Sequence, residues 1–391
     1  MEGDFIKIND WLLPLSWIYG AGVGLRNQMF EMGMLKSRSF DIPVISVGNI
    51  TVGGSGKTPH VEYLINLLRD KVKVAVLSRG YKRKSKGYML ATADTPMSDI
   101  GDEPYQMKKK FADIYVAVDK DRCHGIDQLT TNEETSDTDV ILLDDAYQHR
   151  YVKPGVNILL VDYHRLIMYD KLLPAGRLRE PQKGKARADI VIVSKCPAEL
   201  KPMEFRVITK AMNLFPYQKL YFTTLKYGSL RPIYGGEDRK LDTLTGDTSI
   251  LLLTGIASPQ QMIVDLKPYT ERITPLTFPD HHQYTDADID RINAEFEAMK
   301  GNDKMIVTTE KDNARLCGME GLSDEVKKNI YVLPVEVGFM LDQEEDFNEN
   351  IIGYVRKNSR NSILAKAKDD NKSDNSDNSG NRTRTISFRN N

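Results

Sequence analysis

Residues 43–70, PVISVGNITVGGSGKTPHVEYLINLLRD, constrain the fold of this chain more than any other stretch. Residues 43–47 are a short β-branched run suited to a buried strand. Val61, Leu64, Ile65 and Leu68 recur at helical spacing as one apolar stripe. Pro59 falls in the first turn of that helix, where a missing N–H costs little. Between strand and helix lies TVGGSGKT, residues 51–58. Gly53, Gly54 and Gly56 carry no Cβ, so the backbone running through Thr51, Val52 and Ser55 can curl and aim successive N–H groups at one anion. The helix adds its positive N-terminal end. Lys57 brings a full charge to the β- and γ-phosphates, and Thr58 offers a hydroxyl to Mg²⁺. The pattern G-x-x-x-x-G-K-[ST] begins with glycine, whereas this chain has Thr51. A glycine-rich surface turn that happens to precede a lysine is the alternative, but it needs neither the strand before nor the helix after. The context therefore predicts a P-loop and nucleotide binding.

Composition narrows the rest. A chain of 391 residues can bury two cores. A net charge of −1 supplies no basic field, so no nucleic-acid partner is expected. Cys123, Cys196 and Cys317 form neither a metal spacing nor a disulfide framework, which fits a reducing cytoplasm. The start, MEGDFIKIND, is not basic and carries no secretory signal. Residues 11–24, WLLPLSWIYGAGVG, are apolar but short for a bilayer span, and Pro14 interrupts them. Leu12, Leu15, Trp17, Ile18 and Tyr19, followed by Arg26, Lys36 and Arg38, suit either a helix lying in a membrane interface or one packed on the core.

Along the chain, residues 72–78 predict a second buried strand, parallel to the first in a βαβ unit. Arg79-Gly80-Tyr81 then sits at the strand's carboxyl end, the ligand edge of an open α/β sheet. Residues 82–86, KRKSK, read as a solvated loop or as a docking surface for phosphate or an anionic membrane. Gly101-Asp102-Glu103-Pro104 opens a helix, and two acids there are ordinary capping chemistry. Residues 140–148, VILLDDAYQ, carry the second sharp signal. An apolar strand delivers Asp144 and Asp145 at its carboxyl end, a Walker B arrangement for Mg²⁺. Two such acids are costly without a cation or donors nearby. Residues 173–181, LPAGRLREP, form a loop with Arg177, Arg179 and Glu180. Further strands at 114–118, 157–161 and 190–193 predict a doubly wound, mostly parallel sheet.

Near Tyr221 the pattern changes to alternating aromatic and Thr positions around Gly228, read as an antiparallel hairpin joining two domains. Strands at 250–253, 273–277, 304–308 and 330–337 predict a second, smaller α/β domain. Pro279-Asp280-His281-His282 follows one of them. Paired histidines without a third ligand at suitable spacing read as a polar loop rather than a metal site. The expected organisation is an N-terminal helical segment at 1–38, a nucleotide-binding domain at 39–220, a hairpin linker at 221–240, a smaller domain at 241–362 and a disordered tail at 363–391.

VGNITVGGSGKTP, LSRGY, GDEP, LLDDAYQH, LLPAGRLREP, FPDHH and TTEKD, in this order over residues 10–340, closely resemble the tetraacyldisaccharide 4′-kinase family of lipid A biosynthesis in Gram-negative bacteria. Ala146-Tyr147 stands where that family more often has Gly and an apolar residue. The resemblance implies transfer of the ATP γ-phosphoryl group to the 4′-hydroxyl of a tetraacylated glucosamine disaccharide 1-phosphate, at the cytoplasmic face of the anionic inner membrane. It implies that Lys57 and Thr58 serve the phosphates and Mg²⁺, and that Glu103, Asp144 and Asp145 belong to the metal shell. It implies that Asp102 and His281 form a dyad taking the sugar hydroxyl's proton, and that Arg79, Tyr81, Arg122, Arg179 and Glu180 line the cleft. A nucleotide-dependent switch ATPase shares the P-loop and Asp144 but leaves GDEP and FPDHH unexplained. A cytosolic small-molecule kinase would make residues 11–24 mere core.

Overall fold

A computed structural model of the chain describes residues 6, 8–256, 259–280, 282–316 and 319–359. The 363–391 tail, expected to be disordered, and His281 lie outside the described residues. The N-terminal part comprises α1 (Leu13–Glu31), β1 (Val44–Gly48), α2 (Lys57–Leu68), β2 (Val74–Ser78), β3 (Met89–Leu90), α3 (Met97–Ile100), α4 (Asp102–Lys110), β4 (Tyr115–Val118), α5 (Arg122–Thr131), β5 (Val140–Asp144), β6 (Val156–Asp162), β7 (Ile190–Ser194), α6 (Pro202–Met212) and β8 (Lys219–Tyr227). The chain continues through β9 (Arg231–Pro232), β10 (Ser249–Thr254), α7 (Gln260–Leu266), β11 (Ile273–Thr277), α8 (Asp286–Ala298), β12 (Lys304–Thr308), α9 (Glu310–Leu316), α10 (Asp324–Asn329), β13 (Ile330–Val332), β14 (Val335–Phe339) and α11 (Glu344–Asn358).

Two sheets result. A nine-stranded sheet has the order β14-β8-β7-β6-β1-β5-β2-β4-β3, and a five-stranded sheet the order β11-β10-β12-β13-β9. Every pairing from β8 to β4 in the first sheet is parallel, with antiparallel β14 and β3 at its edges. Parallel strands covered on both faces carry continuous apolar runs, and β1, β2, β5 and β7 are buried at every position. The apolar stripe of α2, including Val61, Leu64, Ile65 and Leu68, packs in one core with Phe347, Ile351 and Val355 of α11.

Two expectations about the second half are corrected. Residues 221–240 are not one hairpin joining the domains: within them, among the described residues, only Leu230 and Arg239 bridge antiparallel. β8 pairs with β7 and β14 in the large sheet, whereas β9 pairs with β13 in the small one. Nor do residues 241–362 stay together, because the apolar run at 330–337 splits into β13 in the small sheet and β14 in the large one. Pro334 has no N–H to continue a ladder, which suits it to the break between them. The outgoing and returning connections lie side by side, with the Gly228 N–H donating to the Pro334 carbonyl at 3.0 Å.

Candidate active site

The glycine loop leaves β1 and enters α2 at the carboxyl edge of the large sheet. Gly56 is the N-cap of α2 with φ +78°, a left-handed conformation that an L side chain adopts only with strain. Among the described residues, the amide N–H groups of Gly53 to Gly56 have no backbone acceptor, which leaves them available to an anion. Side chains hold the loop from beneath. The buried Asn49 amide donates to Ser55 Oγ at 2.7 Å, and Ser194 Oγ donates to the Ser55 carbonyl at 2.9 Å. His60 is also buried, with Nδ1 2.7 Å from the Gly56 carbonyl and Nε2 3.0 Å from Thr223 Oγ1. Burial drives the imidazole down to about 4, so it stays neutral.

Register places the paired acids. Val47 of β1 lies opposite Asp144 of β5, so the carboxylate emerges beside the base of the loop. Asp144 is fully buried, its Oδ1 has no hydrogen-bond partner among the described residues, and Ser78 Oγ lies 3.4 Å from its Oδ2. Burial, then the charges of Glu103 and Asp145, push its carboxyl up to about 7. Asp145 follows with φ +46°, a turn that costs about 1 kcal/mol or more and that Asp tolerates better than most residues. Its carboxylate lies 3.5 Å from Lys57 Nζ and 3.3 Å from Arg179 Nη1, and those two cations outweigh its burial and hold it below the usual range.

The GDEP motif reaches the same place from α4. Gly101, at φ +91°, packs so closely that a Cβ would stand 2.9 Å from the Tyr81 carbonyl, which ties LSRGY to GDEP. Glu103 Oε1 lies 3.4 Å from Thr58 Oγ1 and pairs with Lys311 of α9. Burial raises Glu103, but Lys311 and Lys57 overcome it and the net direction is down. Asp102 accepts from Arg315 Nη2 at 2.6 Å. Both α4 acids therefore meet cations from the other sheet.

Two cavities flank the loop. One of about 200 Å³ lies between the sheets, lined by residues 54–58 together with Glu103, Lys195, Asp280 and Lys311. The other, about 580 Å³, runs under α1 and is lined by Arg26, Arg79, Arg122, Arg150, Arg179 and Asp145 among others. Glu180 lines it too, its buried carboxylate 2.8 Å from Arg187. Burial lowers the Arg122 guanidinium to about 10 against the opposing pull of Asp144 and Asp145. Three expected residues stand apart. Val52 donates its N–H to the Arg177 carbonyl at 2.8 Å and lines the arginine-rich cavity, not the loop's interior. Thr51 bridges to Leu178 and is buried. Tyr81 is exposed, with the Lys82 ammonium over its ring.

Sequence reasoning missed His60, Lys195, Lys311 and Arg315. Lys195 Nζ donates to the Gly54 carbonyl and pairs with Asp162 at 2.8 Å. Its position directly after a buried strand, at the ligand edge, was the available signal. Lys311 and Arg315 had only their place after β12; nothing local foretells that they meet α4.

A glycine loop feeding a helix at the carboxyl edge of a doubly wound sheet, with paired carboxylates at its base, defines a P-loop nucleotide-binding protein. The sequence profile of the tetraacyldisaccharide-1-P 4′-kinase family matches residues 8–356. The chain belongs to that family. It is 61% identical over 363 residues to the tetraacyldisaccharide 4′-kinase of Phocaeicola vulgatus, covering 93% of this chain and 99% of the relative. It is 54% identical over 377 residues to that of Bacteroides fragilis, covering 95% and 100%. It is also similar to the crystal structure of the "apo" form of LpxK from Aquifex aeolicus in complex with ATP, with a TM-score of 0.66 and 31% identity over 88% of this chain and 98% of that one.

Proposed function

We propose that this chain transfers the γ-phosphoryl group of ATP to the 4′-hydroxyl of a tetraacylated glucosamine disaccharide 1-phosphate at an anionic membrane surface. The observation that carries the reading is the position of Lys57 and Asp145 between the two cavities. The triphosphate enters from the inter-sheet side, onto residues 54–58. The anionic disaccharide occupies the arginine-lined cleft under α1.

The donor chemistry at the junction, one hydroxyl and three carboxylates, suits a divalent cation, while the three carboxylates do not all lie within 4.8 Å of one another in this structure. A fully buried carboxylate with an unpartnered oxygen, its acidity weakened by two neighbouring acids, is a poor structural element and a good metal ligand. Thr58, Glu103, Asp144 and Asp145 would hold Mg²⁺. When bound, it would neutralise charge on the β- and γ-phosphate oxygens. Lys57 and the loop N–H groups bind and orient the triphosphate, and Arg179 and Arg122 face the acceptor side. The sugar oxygen forms its bond to the γ-phosphorus as the bond to the β,γ-bridging oxygen breaks, and ADP leaves. In this reading His281 accepts the hydroxyl proton, with Asp102 as the second member of the dyad. Arg315 holds Asp102 in place.

α1 supports the membrane reading. Its inner side is tied down by Ser16 Oγ to the Leu172 carbonyl at 3.0 Å and by Tyr19 Oη to the Arg179 carbonyl at 2.7 Å. Leu15, Trp17, Ile18 and Leu25 are exposed, with Trp11 just before them. No helix among the described residues is long and apolar enough to cross a membrane. A helix with its apolar side outward suits the interface.

The test is to incubate the chain with γ-labelled ATP, Mg²⁺ and the tetraacyl disaccharide 1-phosphate and locate the label. Label on the 4′-oxygen is expected, and label only in inorganic phosphate rejects the reading. Lys57→Ala should abolish transfer. His281→Ala should cut turnover by about 10²-fold or more while leaving ATP affinity near the wild-type value; unchanged turnover removes His281 from the chemistry.

A further inference from the structure

Three lysines line the cavity at the phosphate loop, Lys57, Lys195 and Lys311, and the function above uses only one of them; Lys195 is held by the Gly54 carbonyl and Asp162. Lys57 comes from the loop itself. Lys311 comes from the opposite sheet, on α9, and its Nζ pairs with Glu103 beside Thr58. Both line the same cavity. Lys110 with Glu310 at 2.8 Å and Arg315 with Asp102 at 2.6 Å fix α9 against α4 on either side of Lys311. Those two pairs already join the helices, so Lys311 is not needed as a third tie. Burying a lysine costs free energy unless an anion compensates it, and Lys311 has only a quarter of its side chain exposed.

We propose that Lys311 is a catalytic residue that contacts the terminal phosphate of the bound triphosphate from the opposite lobe. This rests on the phosphotransferase reading. In this structure both lysines rest on carboxylates of the metal shell, Lys57 on Asp145 and Lys311 on Glu103. If those carboxylates take a divalent cation, both ammoniums lose part of their anionic neighbourhood. A triphosphate in the loop offers each of them oxygens instead. Glu103 lies 3.4 Å from Thr58, the residue assigned to the cation at the β- and γ-phosphates, so Lys311 on Glu103 approaches that same end of the phosphate chain from α9. Its charge then faces the equatorial oxygens of the phosphoryl group in flight, the place where an external cation is worth most in such reactions. Because Lys311 sits on α9 beside the small sheet, full charge stabilisation also requires α9 to be held against α4, and a diphosphate lacks the γ-phosphate oxygens that Lys311 would contact.

The experiment compares Lys311→Met, Lys311→Gln and Lys311→Arg with wild type, measuring ATP and ADP dissociation constants with Mg²⁺ as well as turnover. The neutral variants should lose about 10²-fold or more in turnover. They should bind ATP more weakly while ADP affinity stays within about twofold of wild type, and Lys311→Arg should recover most of both properties. If turnover of the neutral variants stays within about threefold of wild type, or ATP and ADP affinities fall together, Lys311 is only an inter-lobe ion pair and the proposal is overturned. A wild-type chain that phosphorylates no lipid would instead defeat the reading of function, while the ratio of ATP to ADP affinity still judges Lys311.

Discussion

His60 shows how much a P-loop depends on a residue that touches no ligand. Its ring spans from the Gly56 carbonyl to Thr223 on β8, so the first turn of α2 is fastened to the sheet. The folded protein keeps this imidazole neutral down to about pH 4, while the unfolded chain takes up its proton near 6.5. Between those values the unfolded state binds more protons, so stability falls as pH drops through the window. The loss amounts to roughly 3 kcal/mol and is complete below the lower value. Urea denaturation of wild type and His60→Gln from pH 7 to 4 should show this decline in wild type and a flatter profile in the variant. Asp144 works in the opposite sense. Its folded carboxyl titrates above its unfolded value, so charging it opposes folding increasingly from about pH 4 to 7. In EDTA, Asp144→Asn should therefore gain stability over wild type as pH rises across that range, while losing most phosphoryl transfer.

At the scale of elements, the junction of α4 with α9 decides whether the site is assembled. The Arg315 side chain has no exposed surface, and it bonds Asp102, Asp312 and the Gly255 carbonyl. Removing one partner of a buried ion pair leaves an uncompensated charge, usually at about 3–5 kcal/mol. Arg315→Met should lower the denaturation free energy by about 3 kcal/mol, and near-wild-type stability would show that the pair contributes little. GDEP at α4 was legible as a motif, but its cations were not. A carboxylate at a helix start looks the same in sequence whether it caps its own helix or meets an arginine more than 200 residues away. The hairpin expected at 221–240 failed for a related reason: alternation marks a strand with two unlike faces, not the strand it pairs with.

For the whole molecule, α1 and the two sheets enclose the site from three directions. The helix turns Trp17 and Ile18 to solvent, at 72% and 71% exposure, while Ser16 and Tyr19 bond to the protein. Replacing both with Glu should sharply reduce co-sedimentation with anionic vesicles and leave the melting temperature nearly unchanged, because neither side chain packs on the core. Equal vesicle binding by the variant would assign α1 to structure alone.

The local pattern of residues was enough for the P-loop, the parallel sheet and the carboxylates at the end of β5. Each depends on interactions within a few residues: a glycine that permits a turn, an apolar run that must be buried, a helix end that attracts an anion. The return of β14 and α11 to the large sheet, the pairing of Lys311 with Glu103, and the split of the glycine loop between two cavities came only with the tertiary structure. Strand partners and long-range ion pairs are chosen by how whole surfaces pack, and side-chain periodicity records which face is buried without naming what buries it.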